Sequence, residues 1–401
     1  MVNSMKTCRL LHTADWQLGK PFARVEDTGK RVQLQQERIQ VIERMGVVAR
    51  EHQASMILVA GDVFDSSTAD RSTVSAACSA IGQLALPVVV IPGNHDHGGP
   101  GNIWEQPFFV RERDALCPNL QVLLKAEPVI LDEVILLPAP LLNRHEVEDP
   151  TAWLRDDLRT ENLPDDRPRV VLAHGSVQDF GASSTDGEEE ELSCSNRIAL
   201  ERLPMEALDY VALGDWHGCK QVGDKSWYSG TPEPDRFPKG ESNRPGHVLL
   251  VEARRGQRPV VSEHPTAALG WHEVHYDMHV DDDLKSLQHC VDEKIGKRAG
   301  KDLLRLTLEG SLGMDASARL DEWLQTMEAR LLRLKLSNRV GLSPSPAETE
   351  ALASRSGDPL ISRVAAALLE RLNSGQEEER GTAAVALKEL FAACREKGGA
   401  Q

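Results

Sequence analysis

Short apolar runs alternate with helix-like patterns from residue 7 to residue 253 of the chain. The runs are nearly all apolar, as strands buried on both faces are, and they predict seven strands: Cys8–His12, Met56–Ala60, Val88–Ile91, Val134–Leu137, Val170–Ala173, Tyr210–Leu213 and Val248–Glu252. Apolar positions near the helical period predict three helices: Val32–His52, Arg71–Leu84 and Thr151–Leu158. Strands that alternate with helices favour a layered α/β fold.

The pattern changes after about residue 268. A strand at Val274–Val280, a helix at Asp282–Glu293, a strand at 304–308, a helix at 320–331 and a strand at 332–336 suit a small α+β accessory domain. A linker with two Ser-Pro pairs follows at 342–346. Two amphipathic helices then begin near Asp358 and Thr382, and neither can bury its apolar stripe alone. We therefore predict three regions, 1–268, 269–340 and 341–401.

Composition narrows the class of protein. The chain has 401 residues and a formal net charge of −16. The negative charge counts against a protein that coats nucleic acid, because such proteins usually have basic surfaces. Much of any DNA affinity is therefore expected to come from a partner. No apolar run is long enough for a membrane span, and the first residues lack a signal-peptide pattern, so a cytoplasmic location is expected. Seven scattered cysteines without a C-x-x-C pair indicate reduced thiols.

Five polar motifs stand at the ends of apolar runs. They are Asp15-Trp16-Gln17, Gly61-Asp62-Val63-Phe64-Asp65, Gly93-Asn94-His95-Asp96, His174-Gly175 and Gly214-Asp215-Trp216-His217-Gly218. Because ligands of open α/β sheets bind beyond the carboxyl ends of strands, the five motifs can converge on one crevice. Their carboxylate, amide and imidazole groups suffice for two divalent cations, and such donors suit Mn²⁺ or Mg²⁺ more than zinc or copper.

Two cations about 3.5–4 Å apart are a device for splitting phosphoesters. The candidate metal ligands, with Asp62 as the bridging carboxylate, are Asp15, Gln17, Asp62, Asn94, His174, Asp215 and His217. His95 could donate a proton to the leaving oxygen, with Asp96 orienting it. Lys20 and Arg24 are candidates for contacts to phosphate. Each motif taken singly could be a turn, and a lone His174 a core histidine, but the five together favour the metal site.

The set resembles the signature of the calcineurin-like metallophosphoesterases over about residues 7–253. The motif text from Leu11 to Lys20, the Gly61–Asp65 motif and Tyr228-Ser229-Gly230-Thr231-Pro232 are most similar to the SbcD-type DNA-repair exonucleases. The resemblance implies a sandwich of two mixed sheets flanked by helices, then a capping domain that contacts DNA. It also implies C-terminal helices that bind an SMC-like ATPase, and a homodimer.

Site roles follow from the same resemblance. It implies one metal on Asp15, Gln17, Asp62 and His217, a second metal on Asp62, Asn94, His174 and Asp215, and His95 as the catalytic histidine. Two positions depart from the family pattern, which usually has histidine at positions 17 and 215. The neutral amide oxygen of Gln17 is a weaker metal ligand than an imidazole, whereas Asp215 replaces a neutral imidazole with a charged carboxylate. We expect a harder, more anionic site that still binds Mn²⁺ or Mg²⁺, with the first ion exchanging faster.

Three functions remain open from the sequence. The first, implied by the resemblance, is a Mn²⁺-dependent 3′→5′ exonuclease and endonuclease that processes DNA ends in repair together with the ATPase. The second is a phosphoesterase for small phosphodiesters or phosphoproteins, which the acidic composition supports because free DNA would be repelled. The third is a weakly active structural subunit, supported only by Gln17 and Asp215.

Overall fold

The structure is a computed structural model that describes residues 5–155, 163–177, 195–237, 243–343, 345, 347–348, 350, 359–374 and 376–398. It divides into two compact units, Met1–Leu269 and Gly270–Gln401. The residues from 341 onward belong to the same unit as those from 270 to 340. The separate functions predicted for these two regions stay predictions.

Six strands form the first sheet of the first unit. In spatial order they are β12 (Val260–Pro265), β11 (His247–Arg254), β1 (Thr7–Thr13), β2 (Met56–Ala60), β3 (Val88–Ile91) and β4 (Leu120–Val122). Strands β1 to β4 are parallel, with Leu10 paired to Met56 and Ile57 to Val88. β11 and β12 complete the sheet in antiparallel fashion, so the sheet is mixed.

The second sheet of this unit also has six strands. Their spatial order is β5 (Val129–Ile130), β6 (Ile135–Ala139), β7 (Arg169–His174), β8 (Tyr210–Gly214), β10 (Ser226–Tyr228) and β9 (Lys220–Gly223). The four central strands, β6, β7, β8 and β10, are parallel, and the two edge strands, β5 and β9, are antiparallel to their neighbours. This sheet is therefore mixed as well.

The two sheets share one apolar layer, and alternation along each strand decides which side chains enter it. Leu10 of β1 and Leu172 of β7 lie in that layer, whereas Leu11 packs on the other face of the first sheet. Three helices cover that other face: α1 (Thr28–Glu51), α2 (Arg71–Gln83) and α3 (Pro107–Leu116). The side chains of Asp27 and Asp70 cap the first two by accepting bonds from backbone N–H groups. The predicted fold, two mixed sheets flanked by helices, is confirmed.

Two helix predictions differ from the structure. The predicted helix Thr151–Leu158 is a 3₁₀ turn at Ala152–Arg155, and its last three residues lie outside the described part. Helix α3 is not among the predicted helices. Its ten residues bury only Phe109 fully, so its apolar positions lack a clear helical period. The seven strands predicted between residues 7 and 253 are all present, two with the predicted bounds and five with ends shifted by one or two residues.

The second unit begins with alternating strands and helices. They are β13 (Gly270–Met278), α4 (Asp283–Ile295), β14 (Asp302–Leu312), α5 (Met314–Arg330), β15 (Arg333–Asn338) and β16 (Gly341–Leu342). All four strands are parallel, with β14 between β13 and β15, because a helix separates each successive long strand. Leu304, Leu306 and Leu308 of β14 share a core with the apolar sides of α4 and α5.

Two further helices, α6 (Pro359–Ser374) and α7 (Glu377–Gly398), complete the second unit. They pack on each other through Ala365 and Leu387, and Met314 of α5 joins their core. An ion pair of 2.6 Å between Lys388 and Asp321 adds to the contact with α5. None of the helices in the described parts of the chain combines the length and apolar composition that a membrane span requires.

Candidate metal centre

The polar motifs follow five parallel strands, three in the first sheet and two in the second. Each is followed by a sharp turn, and four non-glycine residues there have positive φ: Asp15 (53°), Gln17 (49°), Asp62 (54°) and Asp215 (102°). Such conformations cost about 1–3 kcal/mol each and cluster at functional sites. The turns direct the polar side chains to one edge of the sandwich.

Asp15, Asp62 and His174 form the centre of this edge. All three are buried, and one ligand atom of each lies within 4.8 Å of the others. His174 donates its Nδ1 hydrogen to the carbonyl oxygen of Ala60 at 2.7 Å. Its Nε2 therefore faces the carboxylates, 3.7 Å from Asp62 Oδ1 and 3.9 Å from Asp215 Oδ1. A histidine that binds a metal through one ring nitrogen typically donates the hydrogen of the other nitrogen to a backbone carbonyl or a carboxylate.

Gln17, Asn94 and Asp215 lie directly against this cluster. Gln17 donates its Nε2 hydrogen to Asp62 Oδ2 at 3.0 Å, so its amide oxygen is not the atom that bonds Asp62. The amide group of Asn94 lies 3.0 Å from His174 Nε2. The backbone N–H of Asp215 donates to Asp15 Oδ1 at 3.2 Å. All of the predicted ligands except His217 therefore lie together at this edge.

The charges of the cluster explain what it can hold. Burial raises the pKa of Asp15 well above its usual value against the opposing effect of His174, and Asp62 and Asp215 raise it further. Burial lowers the pKa of His174, but Asp62, Asp15 and Asp215 outweigh it and raise that pKa to about 9. The carboxylates of Asp15, Asp62 and Asp215, the imidazole of His174 and the two nearby amides together form a set of ligands that fits divalent cations.

His217 belongs to a neighbouring group. Its Nδ1 lies 2.9 Å from Asp235 Oδ1, and Nη2 of Arg236 lies 3.0 Å from its Nε2 and 3.2 Å from its Nδ1. Burial and Arg236 lower the pKa of His217, so the ring is neutral at pH 7. Burial would raise the pKa of Asp235, but His217, Arg236 and Lys20 outweigh it and hold that pKa well below its usual range.

Asp96 was predicted to orient His95, but its carboxylate bonds two backbone groups instead. Its buried carboxylate accepts bonds from the backbone N–H groups of Gly93 at 2.7 Å and Phe64 at 3.1 Å. It therefore ties two of the motif turns together and does not bond His95. Burial and the charge of Asp62 raise the pKa of Asp96 to about 7. Asp96 bonds the backbone of Gly93 at the start of its own turn. The sequence pattern alone does not show whether such an aspartate bonds this backbone group or the neighbouring His95.

His95 is oriented by the backbone instead. Its Nδ1 donates to the carbonyl oxygen of Asp65 at 2.8 Å, and its Nε2 lies 4.0 Å from Asp62 Oδ2. Its side chain is one-third exposed. Of the predicted phosphate contacts, Lys20 pairs with Asp235 at 3.0 Å and Asp65 at 3.5 Å. Arg24 lies on the exposed surface.

Arg38, a fully buried residue of α1, is not among the predicted site residues. Its Nε donates to the carbonyl oxygen of Trp16 at 2.7 Å and its Nη2 to that of Asp15 at 3.2 Å. Its Nη1 donates to the carbonyl oxygen of Glu233 at 2.9 Å. Arg38 therefore fixes the loop that carries Asp15 and Gln17. Nothing in the sequence distinguishes it from the surface arginines of an amphipathic helix.

A sandwich of two mixed sheets, with buried carboxylates and imidazoles at one edge, is the architecture of a metal-dependent phosphoesterase. The family model of the calcineurin-like phosphoesterases matches residues 8–219, just over half of the chain. The chain therefore belongs to the calcineurin-like phosphoesterase family. Members of this family use a dinuclear metal site, and the Asp15, Asp62 and His174 cluster lies within the matched residues.

Two solved structures are similar to parts of this chain at low identity. One is TT1561 of Thermus thermophilus, at 14% identity and a TM-score of 0.38, covering 65% of this chain and 99% of its own. The other is the phosphopantetheinyl hydrolase PptH of Mycobacterium tuberculosis, at 13% identity and a TM-score of 0.30, covering 57% of this chain and 91% of its own.

Proposed function

We propose that the protein is a two-metal phosphodiesterase that cuts DNA ends, as the nuclease subunit of a complex with an SMC-like ATPase in DNA repair or processing. Membership of a family of metal-dependent hydrolases supports the reaction. The similarity of the first motif and of Tyr228–Pro232 to SbcD-type exonucleases supports DNA as the substrate. The observation that carries the proposal is the buried cluster of Asp15, Asp62 and His174, which can hold ions at the edge where the motifs meet.

The proposed site has two halves that share Asp62. One ion would be held by Asp15, Gln17, Asp62 and His217, and the other by Asp62, Asn94, His174 and Asp215. Two bound divalent ions, Mn²⁺ or Mg²⁺, would supply an activated water and offset charge on the phosphoryl oxygens.

His95 would act as the general acid. Its Nδ1 hydrogen is already donated to the Asp65 carbonyl, so Nε2 is the atom that can carry a proton to the leaving oxygen. The one-third exposure of this ring leaves it accessible to a substrate, while its backbone N–H donates to Asp62 Oδ1 at 2.9 Å and fixes the turn.

A direct assay separates this proposal from its alternatives. Purified protein with Mn²⁺ is mixed with end-labelled linear duplex DNA and, separately, with bis(p-nitrophenyl) phosphate. We expect DNA to be degraded by the wild type and by the control His289→Ala, whose side chain is 77% exposed on α4, but not by His95→Ala. Intact DNA in the presence of bound Mn²⁺ contradicts the proposal.

A second candidate function is hydrolysis of small phosphodiesters, favoured by the net charge of −16 because an acidic surface repels free DNA. Turnover of bis(p-nitrophenyl) phosphate with DNA untouched would support it. Inactivity on both substrates, with Mn²⁺ bound, would point to a structural subunit.

The proposed ATPase partner fits the exposed side of the C-terminal helices. Leu360, Val364 and Val385 are 70%, 40% and 62% exposed although they are apolar. Leu360 and Val364 are four residues apart and so share one side of α6. A coiled coil that contributes its own apolar stripe would cover this side.

The ATPase contact is tested by a pull-down with the coiled-coil root of an SMC-like ATPase from the same genome. Leu360→Glu with Val364→Glu should abolish capture. The control Ala366→Glu places one such charge on the same exposed helix, about 120° from Leu360 and about 160° from Val364, and should retain capture. Equal capture of both variants would place the contact elsewhere. The proposed homodimer is tested separately, by the mass of the protein in sedimentation.

A further inference from the structure

Asp235 is a buried carboxylate shared by three groups beside the metal centre. Its side chain is 1% exposed. It lies 2.9 Å from Nδ1 of His217, 3.0 Å from Nζ of Lys20 and 3.5 Å from Nε of Arg236. The side chains of Lys20 and Arg236 are 24% and 28% exposed, so the two cations reach the surface while the carboxylate that joins them does not.

The contacts of His217 fix which of its nitrogens carries hydrogen. An ionised carboxylate only accepts hydrogen bonds, so Nδ1 of His217 must donate to Asp235. Nη2 of Arg236 lies 3.0 Å from Nε2 and 3.2 Å from Nδ1, so the guanidinium contacts the ring as a whole and does not select one nitrogen. The contact with Asp235 therefore places the hydrogen on Nδ1 and the lone pair on Nε2. That lone pair is what a metal ion requires of a neutral imidazole.

We propose that Asp235 is a positioning residue that serves both sides of the metal centre. It turns His217 so that Nε2 faces an ion, and it holds Lys20 and Arg236 where they bind the non-bridging oxygens of a substrate phosphoryl group. This inference rests on the proposed function, because it assumes that His217 is a metal ligand. The two cations suit the anionic oxygens of a phosphoryl group, and the carboxylates of Asp235 and Asp65 balance their charge when no substrate is bound.

The loop that carries Asp235 has other anchors, so its variants are expected to fold. Arg38 bonds the hydroxyl of Thr231 at 3.1 Å and the carbonyl oxygen of Glu233 at 2.9 Å. The carboxylate of Glu233 accepts a bond from the N–H of Ala268 at 2.8 Å and pairs with Arg44 at 2.6 Å. These contacts do not involve Asp235.

The test compares Asp235→Ala and Asp235→Asn with the wild type by calorimetry with Mn²⁺ alone. Loss of the partner of a metal-bound histidine typically weakens metal affinity about 10–100-fold, which is the expected effect of Asp235→Ala. Asp235→Asn should weaken it less, because its amide oxygen can still accept the Nδ1 hydrogen. The control is Asp224→Asn, which removes an exposed ion pair with Arg258 and should change nothing. Melting temperatures verify that each variant is folded.

A second pair of variants separates the two roles. Lys20→Met and Arg236→Gln should leave Mn²⁺ affinity within about twofold but weaken the binding of inorganic phosphate to the Mn²⁺-loaded protein about tenfold, since each removes one charged contact. Loss of Mn²⁺ affinity in either variant, or unchanged phosphate binding, would contradict the role proposed for the two cations.

The orientation of His217 is measured without any metal, by the ¹⁵N chemical shifts of its ring, assigned through the loss of the signals in His217→Gln. We expect Nδ1 to carry the hydrogen in the wild type, and this preference to be lost in Asp235→Ala. A wild-type ring with its hydrogen on Nε2 overturns the inference. Two tightly bound Mn²⁺ ions in Asp235→Ala, as in the wild type, also overturn it. A wild-type protein that binds no Mn²⁺ overturns the proposed function instead, and the ring shifts still decide how His217 is held.

Discussion

Replacement of Arg38 by methionine should both destabilise the first unit and weaken its metal centre. The guanidinium donates to the carbonyl oxygens of Asp15, Trp16, Gln17 and Glu233, and to the hydroxyl of Thr231. Methionine fills a similar volume but donates nothing, so these buried acceptors would lose their partner. The turn that presents Asp15 would also lose its restraint.

The expected magnitude follows from the burial of this network. A buried acceptor left without a partner costs about 1–3 kcal/mol, and Arg38→Met leaves several such acceptors. Burial of the guanidinium itself is unfavourable and its removal offsets part of this cost, so the expected net loss is about 3 kcal/mol. With a denaturant slope of about 3 kcal/mol per molar urea, the unfolding midpoint should fall by about 1 M.

Urea unfolding and Mn²⁺ calorimetry measure the two effects. Arg254→Met is the matched control, because that side chain is 48% exposed and forms a surface ion pair with Glu252, whose loss should cost less than about 1 kcal/mol. Arg38→Lys should lie between, since an ammonium keeps the charge but cannot reach all five acceptors. The reasoning is refuted if Arg38→Met unfolds at the same urea concentration as the wild type and binds Mn²⁺ equally well.

Three other changes test separate features. Gln17→His should tighten Mn²⁺ binding, because imidazole is a stronger ligand than a neutral amide oxygen; unchanged affinity in calorimetry would count against Gln17 as a ligand. Gly93→Ala should abolish Mn²⁺ binding, since its Cβ would lie 2.1 Å from Oδ1 of Asp62, and normal binding would show that the turn can shift. Burial lowers the pKa of His12 to about 3, so the unfolded chain takes up a proton below pH 6.5 that the folded protein does not. Stability should therefore fall by about 2 kcal/mol from this residue between pH 8 and pH 5, and His12→Gln should lose less on acidification; equal urea-midpoint shifts would contradict this.

The sequence predicted the strands and the motif residues because both are local signals. A strand buried on both faces is a short apolar run, as in Met56–Ala60, and the polar residue after it marks the edge where strand ends meet. Asp15, Asp62 and His174 are 47 to 159 residues apart in the chain, but they follow parallel strands, so their proximity could be inferred.

The supporting network could not be predicted, because it depends on contacts between distant segments. Arg38 lies in the middle of a helix, and only the packing of that helix on the sheet buries it. Asp235 follows two prolines in a loop, and its role depends on the position of His217. Asp96 shows the same limit: its place in the motif was known, but its two bonds depend on the geometry of neighbouring turns.

In the proposed function, one edge of the sandwich holds two divalent ions. A crystal soaked in Mn²⁺ and measured at the manganese absorption edge tests it most directly. We expect two anomalous peaks about 3.5–4 Å apart on either side of Asp62, one near Asp15 and the other near His174. A map without peaks at this edge, with the side chains of Asp15, Asp62 and His174 turned away from one another, would contradict it.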